Sequence, residues 1–131
     1  MCTYVKNGAV FRRSKKPIRC WKIVNHTGNG CYKPYYYSGE CVYRDGETQT
    51  LPERYMNASF GYVEIGFHSY CDIDETLQSW QVLKEDDWCD NPVIVECEIP
   101  QGALMIECED IMGRGVYVSS EIKVIREVLF P

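Results

Sequence analysis

The chain of 131 residues carries a formal net charge of -5 and an apolar share of 45 %, the composition of one folded domain with its own core. The longest apolar runs, Val93-Ile94-Val95 and Ala103-Leu104-Met105-Ile106, are far too short for a membrane-crossing helix, so no membrane partner is expected. An acidic body also forfeits the counterion release that drives association with phosphate backbones, so duplex DNA is not an expected partner.

In chain order, Asn7-Gly8 sits between β-formers and predicts a hairpin over Thr3–Phe11. The basic segment Arg12–Lys16, closed by Pro17, reads as a loop. Ile18–Asn25 predicts a strand with Ile18, Cys20 and Lys22 on one face and Trp21 and Ile23 on the other. Thr27–Gly30 must turn, Cys31–Tyr37 and Cys41–Arg44 read as extended, and Asp45-Gly46 predicts a second hairpin-type turn. Residues 50–57 leave helix and extended chain open. Tyr62–His68 predicts a strand.

The period then changes. Asp72 followed by Glu75 is a capping-box pattern, and Ile73, Leu77, Trp80 and Lys84 share one helical face, so a helix is predicted over Asp72–Leu83. Strands follow over Val93–Ile99, Leu104–Glu107 and Val116–Leu129, the last broken near Ser119-Ser120. The fold class is α+β in a single domain, residues 1–131. It is mostly antiparallel β-sheet with the one helix (about 72–83) packed on it.

Arg12, Arg13, Lys15, Lys16, Arg19 and Lys22 crowd the first part of the chain, whereas Lys84 is the only basic residue between Glu64 and Asp110. A short basic run reads first as a solvated loop; the sharper readings are a patch for an anionic ligand or a face that pairs with the acidic half. Glu96, Glu98, Glu107 and Glu109 alternate with apolar residues, and their strands would crowd like charges if they paired as a hairpin. The basic segment is the internal candidate to answer them.

The eight cysteines show no Cys-x-x-Cys pair, so no metal site is expected. Cys97 falls in phase with Val93, Val95 and Ile99, and Cys108 with Leu104 and Ile106, as small core hydrophobes. The N-terminal residues lack the basic-then-apolar layout of a secretion signal. A cytoplasmic protein with reduced cysteines is the expectation. His68 and Cys71 are close enough in sequence to be weighed as a Cys–His nucleophile pair, and His26 ends a strand at a turn. Tyr32, Tyr35, Tyr36, Tyr37 and Tyr43 cluster, and alternation exposes either Tyr36 or the pair Tyr35 and Tyr37 as a binding strip.

Gly66-Phe67-His68-Ser69-Tyr70-Cys71, followed by a short helix, resembles a motif in small uncharacterised proteins of phages and gut bacteria. Such proteins continue with strands like Val93–Ala103 and Val116–Val124. The order of elements is also similar, more distantly, to the ADP-ribosyltransferase fold. That resemblance implies NAD as cofactor, held by Arg19 or His26, with Ser69 or Tyr70 at the strand-to-helix junction and Glu121 as the catalytic carboxylate. The family's Ser-Thr-Ser motif is missing, and Ser119-Ser120-Glu121 lacks the first member of the usual acidic pair. The resulting expectation is a small accessory protein of phage type that binds a host protein or a small ligand, leaning away from enzyme. The alternative is an NAD-using enzyme, active or degenerate, with Glu121, Tyr70 and His68 as catalytic candidates and Arg19, His26, Ser69, Tyr35 and Tyr37 as ligand-binding ones.

Overall fold

The computed structural model describes residues 3–34, 42–58, 61–85 and 91–129. Among these, eleven strands join one antiparallel sheet: β1 (Tyr4–Val5), β2 (Arg12–Arg13), β3 (Ile18–Gly28), β4 (Cys31–Pro34), β5 (Tyr43–Arg44), β6 (Thr48–Thr50), β7 (Phe67–Tyr70), β8 (Pro92–Ile99), β9 (Leu104–Glu109), β10 (Gly115–Ser119) and β11 (Glu121–Val128). One α-helix, α1 (Ile73–Lys84), packs on β8, β3 and β7. The strand order is β1-β9-β10-β7-β3-β8-β11-β6, with β2 on β9 and the β4–β5 pair on β3.

The sheet has a seam. β3 pairs with β8 along eight residues, but it meets β7 only through Trp21 opposite Tyr70. One half-sheet is therefore β1/β2-β9-β10-β7, and the other is β3-β8-β11-β6. The chain crosses between them where β10 becomes β11, at Ser120, the break expected near Ser119-Ser120.

Alternation along the strands divides the core as the sequence indicates. Cys20 and Val24 of β3 join Val95, Cys97 and Ile99 of β8 and Ile122 and Val124 of β11 on one face. Trp21 and Ile23 turn to the other face, where Ile73, Leu77, Trp80 and Leu83 of α1 cover them. Cys97 and Cys108 are indeed core residues. Asp72 caps α1 by accepting from the Glu75 N–H at 3.1 Å. The reciprocal half of the capping box is not made, because the Glu75 carboxylate instead accepts from Gly115 N–H at 2.9 Å and ties the helix to β10.

Several expectations are corrected. The Asn7-Gly8 turn forms, but its flanking strands do not pair with each other: β1 and β2 both lie along β9, at Cys108–Glu109 and Leu104–Met105. Non-local pairing overrides the local hairpin there. The strand expected over 62–68 runs instead from Phe67 to Tyr70. Gly66 precedes it at φ 145°, where a Cβ would stand 2.3 Å from Val118 Cγ1, so the glycine of the Gly-Phe-His motif serves the backbone. β8 and β9 do not form a hairpin, and Arg19 and Arg126 answer Glu96 while Arg12 answers Glu107. The fully reduced set of cysteines is not what is found: Cys31 is disulfide-bonded, while Cys20, Cys71, Cys97 and Cys108 are free. No described helix is long and apolar enough to cross a membrane.

Candidate functional site

The motif that pointed to a site is mostly consumed by the fold. His68 sits on β7 with Nδ1 3.0 Å from Gly66 O and Nε2 3.1 Å from both Thr3 Oγ1 and Val63 O. Burial, reinforced by the nearby Lys22 ammonium, lowers its pKa to about 4, so the ring is neutral at pH 7. It fastens the N-terminal segment and the 63–66 loop to the sheet. Tyr70 is buried beneath α1, with its hydroxyl 3.4 Å from Asp110 Oδ2 and its pKa raised mainly by burial. Asp110 Oδ1 accepts from the N–H groups of Met112 and Arg114, each at 2.9 Å, which shapes the β9–β10 turn.

Cys71 is not an activated nucleophile. Burial pushes its thiol up to about 12, against the opposing effect of the Tyr117 hydroxyl that faces it. Ser69 lies in the same interior, fully buried, with its Oγ unpaired by the hydrogen-bond geometry and next to Cys20.

The other residues of the expected set are dispersed. Glu121 opens β11 opposite Thr50, and with the stronger Glu53 it holds the Arg13 guanidinium above its ordinary pKa. Tyr70 faces Trp21, which faces Glu96, which faces Arg126. On its other side Tyr70 faces Val116 of β10, and Glu121 lies five residues beyond Val116, about 15 Å along the chain. His26 belongs to the opposite end, 3.8 Å from Glu127 and edge-on to Tyr32. Tyr35 and Tyr37 lie outside the described residues. His68, Ser69 and Tyr70 are neighbours on β7, and Arg19 approaches them through Trp21, which faces Tyr70: the Arg19 guanidinium lies 5.1 Å from the Trp21 ring centre.

Arg19 does contribute to a hollow that the expected set did not include. Beside the seam, Arg12, Lys15, Lys16, Pro17, Ile18, Arg19 and Tyr117 line an open cavity of about 670 Å³. Its shape comes from an anchored turn. Ser14 is buried, its N–H donates to Ala103 O at 2.9 Å, its carbonyl accepts from Gly102 N–H at 2.8 Å, and its hydroxyl donates to Lys16 O. That anchor fixes the turn presenting Lys15 and Lys16. Across the cavity, Arg12, Glu107 and Tyr117 stand on the adjacent strands β2, β9 and β10.

The four cations differ in commitment. Arg19 donates through Nε to Glu96 Oε1 at 2.8 Å and through Nη2 to the same oxygen. Arg12 Nη2 stands 3.6 Å from Glu107 Oε1, both side chains being nearly half exposed. Lys15 and Lys16 are exposed, and no carboxylate among the described residues pairs with them. Lys22, by contrast, is drawn into the sheet, donating to His68 O with its ammonium 5.4 Å from the Tyr43 ring centre. The sequence signal for the hollow was the basic run itself, read first as a solvated loop; Tyr117 carried no signal. No group of three or more metal-ligating side chains occurs among the described residues.

No protein-family model, no curated protein and no solved structure matches this chain.

Proposed function

We propose that this protein is a binding module for a small anionic ligand, taken up in the hollow between the Lys15–Lys16 turn and Tyr117. The observation that carries the reading is the convergence of four cations on one cavity of about 670 Å³ in a chain of net charge -5. That volume lies in the range of small-molecule sites, which favours a small ligand over a host protein. The Ser14 anchor holds the turn in place, so little ordering entropy is lost when an anion arrives.

Thermal unfolding titrated with pyrophosphate tests the reading. A ligand confined to the folded state adds about 2.7 kcal/mol at a hundred times its dissociation constant. A saturable rise of the midpoint in the wild type, absent from the Lys15→Ala/Lys16→Ala variant, is the expected result. A wild type indifferent to pyrophosphate overturns it.

An NAD-using enzyme built on Glu121 is the second reading. Its support is that Arg19 lines the hollow and that a diphosphate suits these cations; against it stands the strand register separating Glu121 from Tyr70. NAD added to the same titration, with consumption followed beside Glu121→Gln, decides it. NAD turnover lost in the variant would promote it, and NAD left intact by the wild type would remove it.

A further inference from the structure

The walls of the hollow narrow the class of anion, an inference that rests on the hollow being a binding site. Two of its four cations already hold a carboxylate: Arg12 faces Glu107 at 3.6 Å, and Arg19 grips Glu96, which is also 4.0 Å from Arg126 Nε. Any anion that displaces Glu107 from Arg12 leaves that carboxylate unpaired beside it, and a carboxylate ligand brings no more charge to the site than the one it displaces. A phosphate monoester brings more. It carries close to two negative charges at neutral pH and three acceptor oxygens. It can therefore engage Lys15 and Lys16 while competing for Arg12.

We infer that the hollow selects phosphoryl over carboxylate ligands through its four cations, and that Glu107, as an internal competitor for Arg12, tempers this selectivity by repelling a dianion more than a monoanion. Pro17, Ile18 and Tyr117 supply an apolar and aromatic wall beside the cations. The favoured ligand is thus a phosphate ester with an organic body rather than inorganic phosphate alone. Glu107 is positioned for this role by β9, between Arg12 on β2 and Tyr117 on β10.

The test uses phenyl phosphate and benzoate, which share a ring and differ in the anionic group. Calorimetric titration at about pH 7.5 keeps the phosphate largely dianionic. The wild type is expected to bind phenyl phosphate at least tenfold more tightly than benzoate. In Glu107→Gln both probes should gain and the ratio should widen, because the dianion is relieved of more repulsion than the monoanion, a change that a merely structural Glu107 would not produce. Arg12→Gln is the second variant: phenyl phosphate weakens there more than benzoate, and the ratio narrows. Equal affinities in the wild type, or a ratio untouched by both substitutions, overturn the selectivity claim. If both probes bind equally and Lys15→Ala/Lys16→Ala abolishes both, the hollow remains a site and only its selectivity falls. If neither probe binds and pyrophosphate is also inert, the hollow itself is not a site.

Discussion

Two polar regions of this molecule look alike in the sequence and differ in what the fold leaves them to do. Beneath α1 and along β7, His68, Tyr70, Asp110 and Glu75 are the groups a search for chemistry finds first. Each is occupied: His68 by Gly66, Thr3 and Val63, Tyr70 and two backbone N–H groups by Asp110, and Gly115 N–H by Glu75. At the seam, Lys15 and Lys16 are held at the mouth of a cavity by a turn anchored through Ser14. Buried polar groups must find partners, so a fold spends them on itself, whereas exposed cations on a rigid turn cost little to leave uncommitted. The lesson is to ask which groups have nothing else to bind, not which ones are chemically versatile.

The sharpest way to break this contrast is to damage the first region and watch the second. Asp110→Ala takes the acceptor from the buried Tyr70 hydroxyl and from two backbone donors of a solvent-facing turn, with an expected loss of about 3 kcal/mol in denaturant unfolding. Pyrophosphate affinity of the fraction still folded should be unchanged. A collapse in affinity would mean that the two regions are coupled.

His68 gives an effect of similar size through pH. Its folded pKa of about 4 lies below the ordinary value of 6.5, so between these values the unfolded chain binds the extra proton and the native one does not. Its contribution is therefore fully present above pH 6.5 and is withdrawn as pH falls toward 4, by roughly 3 kcal/mol in all. His68→Gln should flatten that part of the stability–pH curve. An identical slope in the variant would show that another group is titrating.

Smaller effects sharpen the comparison from each side. Asp72→Ala removes the cap on α1 and is expected to cost about 1 kcal/mol in thermal or chemical unfolding, with no change at the hollow. Lys15→Ala/Lys16→Ala should move stability by less than about 0.5 kcal/mol, since both side chains are exposed and unpaired among the described residues. Its binding of pyrophosphate should nonetheless fall at least tenfold. A large stability loss there would place the lysines with the structural groups instead.

Much of the fold was legible because it follows from periodicity. The alternation of Cys20, Trp21 and Ile23, the in-phase Cys97 and Cys108, and the Asp72 cap each appear where local pattern puts them. What was not legible is pairing between distant segments. Nothing local says that residues on both sides of Asn7-Gly8 would lie on β9, or that Glu75 would leave its own helix end for Gly115 N–H. Likewise the basic run was visible but not its geometry, because the Ser14 anchor depends on Gly102 and Ala103, nearly ninety positions away. Among the described residues Arg19 was the one expected ligand contact that lines the hollow, and Tyr117 entered it only through the register of β10.

The central claim is that anions bind at the seam and not at the motif beneath the helix. Backbone and side-chain NMR shifts recorded during a pyrophosphate titration test it most directly. The account predicts saturable shifts concentrated at Arg12, Lys15, Lys16, Ile18, Arg19 and Tyr117, with His68, Tyr70 and Glu121 still. Shifts centred on Tyr70 or Glu121, or no saturable shift at any residue, would contradict it.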